Sequence, residues 1–194
     1  MSFKLENYLA RLFSSEPFFA GISRRVEKKA TRSIKTAGVS FDPKGMRFRL
    51  YYNPDFFEQL TSSELLAILK HEFYHLVLGH VTHRNPNSDG TISKTWNIAT
   101  DLAINSWISD QLPNRVLNGF GPKPFEGCVP GVGLFSKYQS HKSSEWYFDQ
   151  LNRDQDKDVR DFLDGEDEGN GEGEGNGEGE GNGGMVGDHS AWAD

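Results

Sequence analysis

Cysteine is almost absent from this chain of 194 residues, in which Cys128 stands alone. A single thiol cannot form an intramolecular disulfide and cannot build a zinc site from cysteines. The chain also lacks the apolar core of a secretory signal, because residues 1–11 carry charges throughout, and no apolar run reaches membrane-spanning length. We therefore expect a soluble protein of the cytoplasm, which is a reducing compartment.

Lys and Arg are absent between positions 165 and 184, where Gly-Glu and Gly-Asn repeats carry seven acidic side chains. Without these seven, the 28 acidic residues would number 21 and would match the 21 basic ones, so the net charge of -7 belongs to this segment. Because it has no apolar residue to bury, we predict a disordered linker at 165–184 between a domain at 1–164 and a short motif at 185–194. A solvated spacer is the simpler role, and capture of a partner protein is the alternative.

The most informative residues present are His71-Glu72-Phe73-Tyr74-His75, an HExxH motif. A capping box at Thr61 and Glu64 predicts a helix that begins near Ser62, and Gly79 predicts its end. Positions four apart share a helix face, so His71 and His75 can hold one zinc ion while Glu72 reaches its bound water as general base. The alternative is a buried helix whose two histidines are satisfied by hydrogen bonds in the core.

Further periodic segments surround this motif. A helix at residues 3–13 and a second one opened by Pro17 are predicted. The second would carry a basic face between Arg24 and Lys35, which either binds nucleic acid or an acidic partner or is an ordinary solvated face. Alternating residues predict a hairpin of strands 39–42 and 46–53. The strand just before the HExxH helix either pairs, as an edge strand, with a substrate backbone or only covers the core. Later segments predict helices at 94–111 and 144–163, separated by a long loop at 114–137.

A catalytic zinc ion usually has three protein ligands, and HExxH supplies two of them. Asp101 is one candidate for the third ligand, because the next predicted helix, as an antiparallel neighbour, could project its carboxylate toward the same ion; its helical face otherwise carries the amides Asn97 and Asn105. His80 is the alternative, since a turn at Gly79 could swing it back toward the metal. Asn97 and Asn105 could orient the ligands or could be ordinary helix amides.

Residues 71–80 and 96–105 together resemble the metallopeptidase domain that often precedes a von Willebrand factor A-type domain in bacterial and phage proteins. The resemblance implies a zincin-like α+β fold, mostly helical, with a small hairpin or sheet packed on the HExxH helix. The chain departs from the metzincin pattern, because Val81 and Leu78 stand where that pattern needs His and Gly, which favours Asp101 over His80. It also ends soon after residues 188–192, so we expect no role that depends on a von Willebrand domain.

These observations predict a zinc-dependent peptidase acting on a protein or peptide substrate. The candidates for stabilising the oxyanion are Tyr138, His141, His83 and His189, and the last of these could instead block the metal if Trp192 anchors the tail. The rival is a zincin-like binding or regulatory module with a structural or vestigial metal, docking through its basic helix or acidic tail. The neutral body argues against a nucleic-acid partner.

Overall fold

The computed structural model describes residues 5–87, 92–125 and 127–164. These residues form seven α-helices and one sheet of three strands, a mixed architecture that agrees with the predicted α+β class. In chain order the elements are α1 (Leu5–Ser15), α2 (Pro17–Ser23), β1 (Val26–Ala30), β2 (Ala37–Asp42), β3 (Arg47–Tyr52), α3 (Pro54–Phe57), α4 (Ser62–Val77), α5 (Lys94–Ile108), α6 (Ser144–Arg153) and α7 (Lys157–Asp164). The predicted linker at 165–184 and the motif at 185–194 lie outside the described residues.

The predicted hairpin is confirmed: β2 pairs antiparallel with β3, with Val39 opposite Leu50. Its turn is shaped by the Asp42 carboxylate, whose Oδ1 accepts hydrogen bonds of 3.0 Å from the backbone amides of both Lys44 and Gly45. The sheet order is β1-β3-β2, because β1 pairs in parallel with the other side of β3.

The prediction of a basic helix was wrong, because α2 ends at Ser23 and the basic residues that follow belong to β1 and its flanking turns. Val26 lies opposite Phe48 in the sheet and is buried, so long-range pairing and burial outweigh the local helical pattern. The same pairing places β3 at the centre of the sheet. The strand just before the HExxH helix is therefore not an edge strand, and the edge strand that packs against α4 is β2.

Helix α4 begins and ends where the sequence predicts. The Thr61 hydroxyl accepts from the Glu64 amide at 3.3 Å, and Glu64 Oε2 accepts from the Thr61 amide at 2.8 Å, which completes the capping box. Arg115 adds a 2.9 Å ion pair to the same carboxylate. After the helix, Gly79 has a φ of 69°, a left-handed conformation that glycine adopts at little cost. The helix that presents His71 and His75 is thus fixed at both ends.

The helix predicted at 94–111 is confirmed as α5 with a short 3₁₀ extension, Ser109–Gln111. The final predicted helix is interrupted instead, giving α6 and α7. At the break, Asp154 Oδ1 accepts from the Asp156 amide at 2.9 Å and Asp156 Oδ1 accepts from the Asp158 amide at 3.0 Å. These side chains take amides that a continuous helix would pair with carbonyls, so the helix restarts at Lys157.

The buried apolar residues form two clusters, and α5 contributes to both of them. Ile104 and Ile108 pack with α4 and the sheet, whereas Ile98 and Leu102 pack with α6 and α7. Helix α5 is therefore held on two sides, which fixes the face that it turns toward α4. None of the helices in the described part of the chain has both the length and the apolar character needed to cross a membrane.

Candidate metal centre

Two pairs of polar side chains, each spaced four residues apart, face one another between α4 and α5. His71 and His75 come from α4, and Asp101 and Asn105 come from α5. The spacing puts each pair on one face of its helix, and the packing of the two helices brings the faces together. All four side chains have zero relative exposure.

Three of these residues present one ligand atom each to a common point. His71 Nε2 and His75 Nε2 lie 3.0 Å apart, and Asp101 Oδ1 lies 3.3 Å from the first and 3.2 Å from the second. His71, His75 and Asp101 could therefore hold a metal ion together. Among the described residues they form the one cluster of three or more His, Cys, Asp or Glu side chains with this property.

The electrostatics of the cluster favour a cation. Burial by itself lowers the pKa of His71, yet the carboxylate of Asp101, with smaller contributions from Glu72 and Asn105, raises that pKa above its ordinary value. A field that attracts a proton to this imidazole also attracts a metal ion, because both are cations at the same nitrogen lone pair.

Asn105 sets the orientation of His71. Its Oδ1 lies 2.8 Å from His71 Nδ1, and its Nδ2 donates to the carbonyl oxygen of Cys128 at 2.9 Å. Since Nδ2 must donate, Oδ1 accepts, and the hydrogen of the neutral His71 ring is placed on Nδ1. His71 Nε2 then carries the lone pair that a metal ion requires.

His80 lies behind His75 and not among the three facing ligand atoms. Its Nδ1 is 3.2 Å from His75 Nδ1, and its Nε2 is 2.9 Å from the Ser144 hydroxyl. Burial, followed by the positive charge of Arg84, lowers the pKa of His80 to about 3, so the ring is neutral near pH 7. Both of its ring nitrogens thus have hydrogen-bond partners other than the common point.

Glu72 follows His71 on α4 and is also completely buried. Its negative charge acts on the adjacent His71 and contributes to the raised pKa of that imidazole. Asn97, one turn before Asp101 on α5, is buried as well, but no hydrogen bond in the described part of the chain joins it to the ligand residues.

The sequence also predicts four candidates for stabilising an oxyanion, and the three that lie in the described part of the chain contact groups other than the ligand residues. The Tyr138 hydroxyl donates to Asp154 Oδ2. The His141 ring packs against Trp107, with the two ring centroids 4.2 Å apart. His83 Nδ1 lies 3.3 Å from the Thr82 hydroxyl. His189 falls outside the described residues. Within the described part of the chain, no hydrogen bond links these three candidates to His71, His75 or Asp101.

Sequence patterns did not predict two hydrogen bonds around the site. Ser144 is hydrogen-bonded to His80, 64 positions earlier, and the carbonyl oxygen of Cys128 accepts from Asn105, 23 positions earlier. Neither contact follows a helical or strand period. A backbone carbonyl, moreover, is present in every residue and cannot be recognised from residue type.

Comparison with known proteins gives a family for this chain. Residues 1–188 match the model of a family described as "Putative metallopeptidase domain". An uncharacterized protein of Thermotoga maritima is 28% identical over 106 residues, which make up 55% of this chain and 26% of that relative. No solved structure matches the chain. Because the family model spans nearly the whole sequence, the chain belongs to this family.

Proposed function

We propose that this chain is a zinc-dependent peptidase in which His71, His75 and Asp101 bind the metal and Glu72 is the general base. The observation that carries the proposal is the convergence of two imidazole nitrogens and one carboxylate oxygen, 3.0 to 3.3 Å from one another, beside a second buried carboxylate. Membership of a metallopeptidase family supports the same reaction class.

The ligand set suits zinc in both chemistry and spacing. Tetrahedral zinc with ligands at about 2.0–2.1 Å requires ligand atoms roughly 3.3 Å apart, close to the separations found here. Three protein ligands leave one coordination position for water or substrate, as in catalytic rather than structural zinc sites. When bound, zinc would supply a Lewis acid and would lower the pKa of a water molecule to about 7.

Burial of two carboxylates in one small region also favours a divalent cation. Asp101 and Glu72 both have zero exposure, and the transfer of an ionised carboxylate out of water is costly unless positive charge compensates it. A divalent cation at the common point would balance two formal negative charges. Its binding would therefore stabilise the fold as well as prepare the site for chemistry.

Glu72 would move the proton during the reaction. Its carboxylate would accept a proton from the attacking water and would deliver it to the amine that leaves when the peptide bond breaks. Helix α4, capped at Thr61 and closed at Gly79, holds Glu72 and the two histidines in a fixed relation. The low dielectric around a buried carboxylate strengthens its interaction with positive charge that develops nearby.

The edge strand β2 is our candidate for binding the substrate backbone. It packs against α4, and its side away from β3 is not used for pairing within the sheet. An extended peptide could add to such an edge through main-chain hydrogen bonds. The placement of an active-site helix beneath an edge strand supports a zincin-like fold. Because Glu72 is fully buried, a peptide would reach it only after the covering residues move.

The second candidate function is a binding or regulatory module with a structural metal. Complete burial of the cluster favours it, because structural metal sites are closed to solvent. In this case Glu72 would have no catalytic task, and partners would bind through other surfaces, such as the acidic segment at 165–184. Peptide hydrolysis that depends on Glu72 separates the two candidates.

Metal analysis of the purified protein is the first test of the proposal. We expect one zinc per chain, and we expect His75→Ala to lose it, because two remaining ligands cannot hold a hydrated ion tightly. His141→Ala is a matched control, since that ring stacks on Trp107 away from the cluster. Full zinc occupancy in His75→Ala would refute the ligand assignment.

A further inference from the structure

His80 follows the turn at Gly79 in a position that its backbone fixes. Its amide donates to the carbonyl of His75 at 2.9 Å, and its own carbonyl accepts from Trp96 Nε1 at 3.4 Å. The imidazole is fully buried and meets the His75 ring edge to face, with a centroid separation of 5.3 Å. The ring of His80 is therefore held in one place behind His75.

The hydrogen bonds of this pair depend on which ring nitrogens carry hydrogen. His75 can offer a lone pair at Nε2 only when its hydrogen is on Nδ1, and that N–H then donates to His80 Nδ1. His80 must in turn carry its hydrogen on Nε2, where the Ser144 hydroxyl oxygen, 2.9 Å away, accepts it. The opposite arrangement would place a hydrogen on His75 Nε2 and block it as a ligand.

We propose that His80 and Ser144 are positioning residues, which hold the His75 ring in the tautomer and orientation that present Nε2 to the metal. The inference rests on the proposed function, since it assumes that His75 binds a metal ion. It assigns to His80 and Ser144 the role that Asn105 has for His71. Each metal-binding histidine thus has a buried acceptor at Nδ1, and that acceptor is fixed by a further hydrogen bond.

The two histidines differ in how firmly their acceptors are defined. The amide oxygen of Asn105 can only accept, whereas an imidazole nitrogen accepts or donates according to its tautomer. The Ser144 hydroxyl can accept from the Nε2–H of His80, which completes the arrangement in which His80 Nδ1 accepts from His75. Ser144 is 1% exposed and begins α6, which packs against α5, so this hydroxyl is held in place by the core.

Replacement of His80 by Asn or Leu distinguishes this role from packing. The Oδ1 atom of Asn occupies nearly the position of an imidazole Nδ1 and can accept from His75, whereas Leu fills the space without an acceptor. We expect His80→Leu to weaken zinc binding about 10- to 100-fold, the usual effect of losing a hydrogen-bond partner of a metal ligand. His80→Asn should keep zinc affinity closer to that of the wild type.

The measurements are competitive zinc titration against a chromophoric chelator and the visible spectrum of the cobalt-substituted protein. We expect an altered cobalt spectrum in His80→Leu, near-normal bands in His80→Asn, and a smaller loss of affinity in Ser144→Ala. A packing role predicts the reverse order, because apolar Leu suits a buried position better than Asn.

The outcomes separate this inference from the proposed function. A wild-type protein that binds no zinc would overturn both. Tight zinc binding in the wild type, with His80→Leu and Ser144→Ala unchanged, would overturn the positioning role and leave the zinc site intact. Equal and large losses in His80→Leu and His80→Asn would also overturn it, because they would indicate that His80 is itself a ligand. If His80→Leu fails to fold, Ser144→Ala decides by the same cobalt spectrum.

Discussion

Asp101→Asn replaces one carboxylate oxygen by an amide NH2 group and so removes one negative charge from a completely buried position. In the native site, Asp101 Oδ1 lies 3.2 Å and 3.3 Å from the two histidine nitrogens. Breaking a buried charge interaction of this kind costs about 3–5 kcal/mol. Since each 1.4 kcal/mol corresponds to a factor of ten, zinc affinity should fall by roughly a hundred-fold to several thousand-fold.

The assay compares zinc dissociation constants of the wild type, Asp101→Asn and the control Asp110→Asn, in which the same charge is removed from an exposed position. The stabilisation that saturating zinc gives against unfolding should shrink in Asp101→Asn by the same roughly 3–5 kcal/mol, because binding and folding are linked. Asp110→Asn should change neither quantity. A zinc affinity for Asp101→Asn within a few-fold of the wild type would refute the assignment of Asp101 as a ligand.

Two further predictions concern the site helix and access to the metal. Burial by itself raises the pKa of Glu64, but the ion pair with Arg115 and the hydrogen bonds with Thr61 outweigh it, and the pKa is lowered overall. The ionised Glu64 carboxylate therefore stabilises the fold above the ordinary pKa of a glutamate. This stabilisation is lost as the pH falls through the pKa of Glu64 in the folded state. Glu64→Gln should thus lower the free energy of unfolding by about 1–2 kcal/mol at pH 7 in denaturant titrations. The difference should shrink as the pH is lowered below the ordinary pKa of a glutamate, and a difference that does not change with pH would contradict this. Because the ligands are buried, zinc removal by excess chelator should proceed at a rate independent of chelator concentration, and a rate proportional to chelator would indicate an open site.

The parts of the fold that sequence could predict are those fixed by local chemistry. The capping box and Gly79 give the limits of α4, and the four-residue spacing on α4 and α5 places His71 with His75 and Asp101 with Asn105. What the spacing cannot supply is the rotation of one helix relative to the other. That rotation comes from α5 packing into two apolar clusters at once, with residues distant in sequence.

The parts that sequence missed depend on contacts between distant segments. Strand β1 is stabilised by parallel pairing with β3, where Val26 lies opposite Phe48, and a run of basic residues gives no local sign of that partner. The break between α6 and α7 is a local exception, because the Asp154 carboxylate accepts the backbone amide of Asp156, two residues later, where a periodic pattern predicts a continuous helix. The link from His80 to Ser144 likewise joins positions 64 residues apart.

Hydrolysis of a broad peptide library by zinc-loaded wild type and Glu72→Gln tests the central claim most directly. The substitution keeps the shape of the side chain and leaves all three ligand atoms in place, so zinc content should remain at one per chain. Loss of a general base should lower the rate of peptide cleavage by about 10²- to 10⁴-fold. Unaltered hydrolysis in zinc-loaded Glu72→Gln would contradict the account, and so would a wild-type protein that binds zinc but cleaves no peptide.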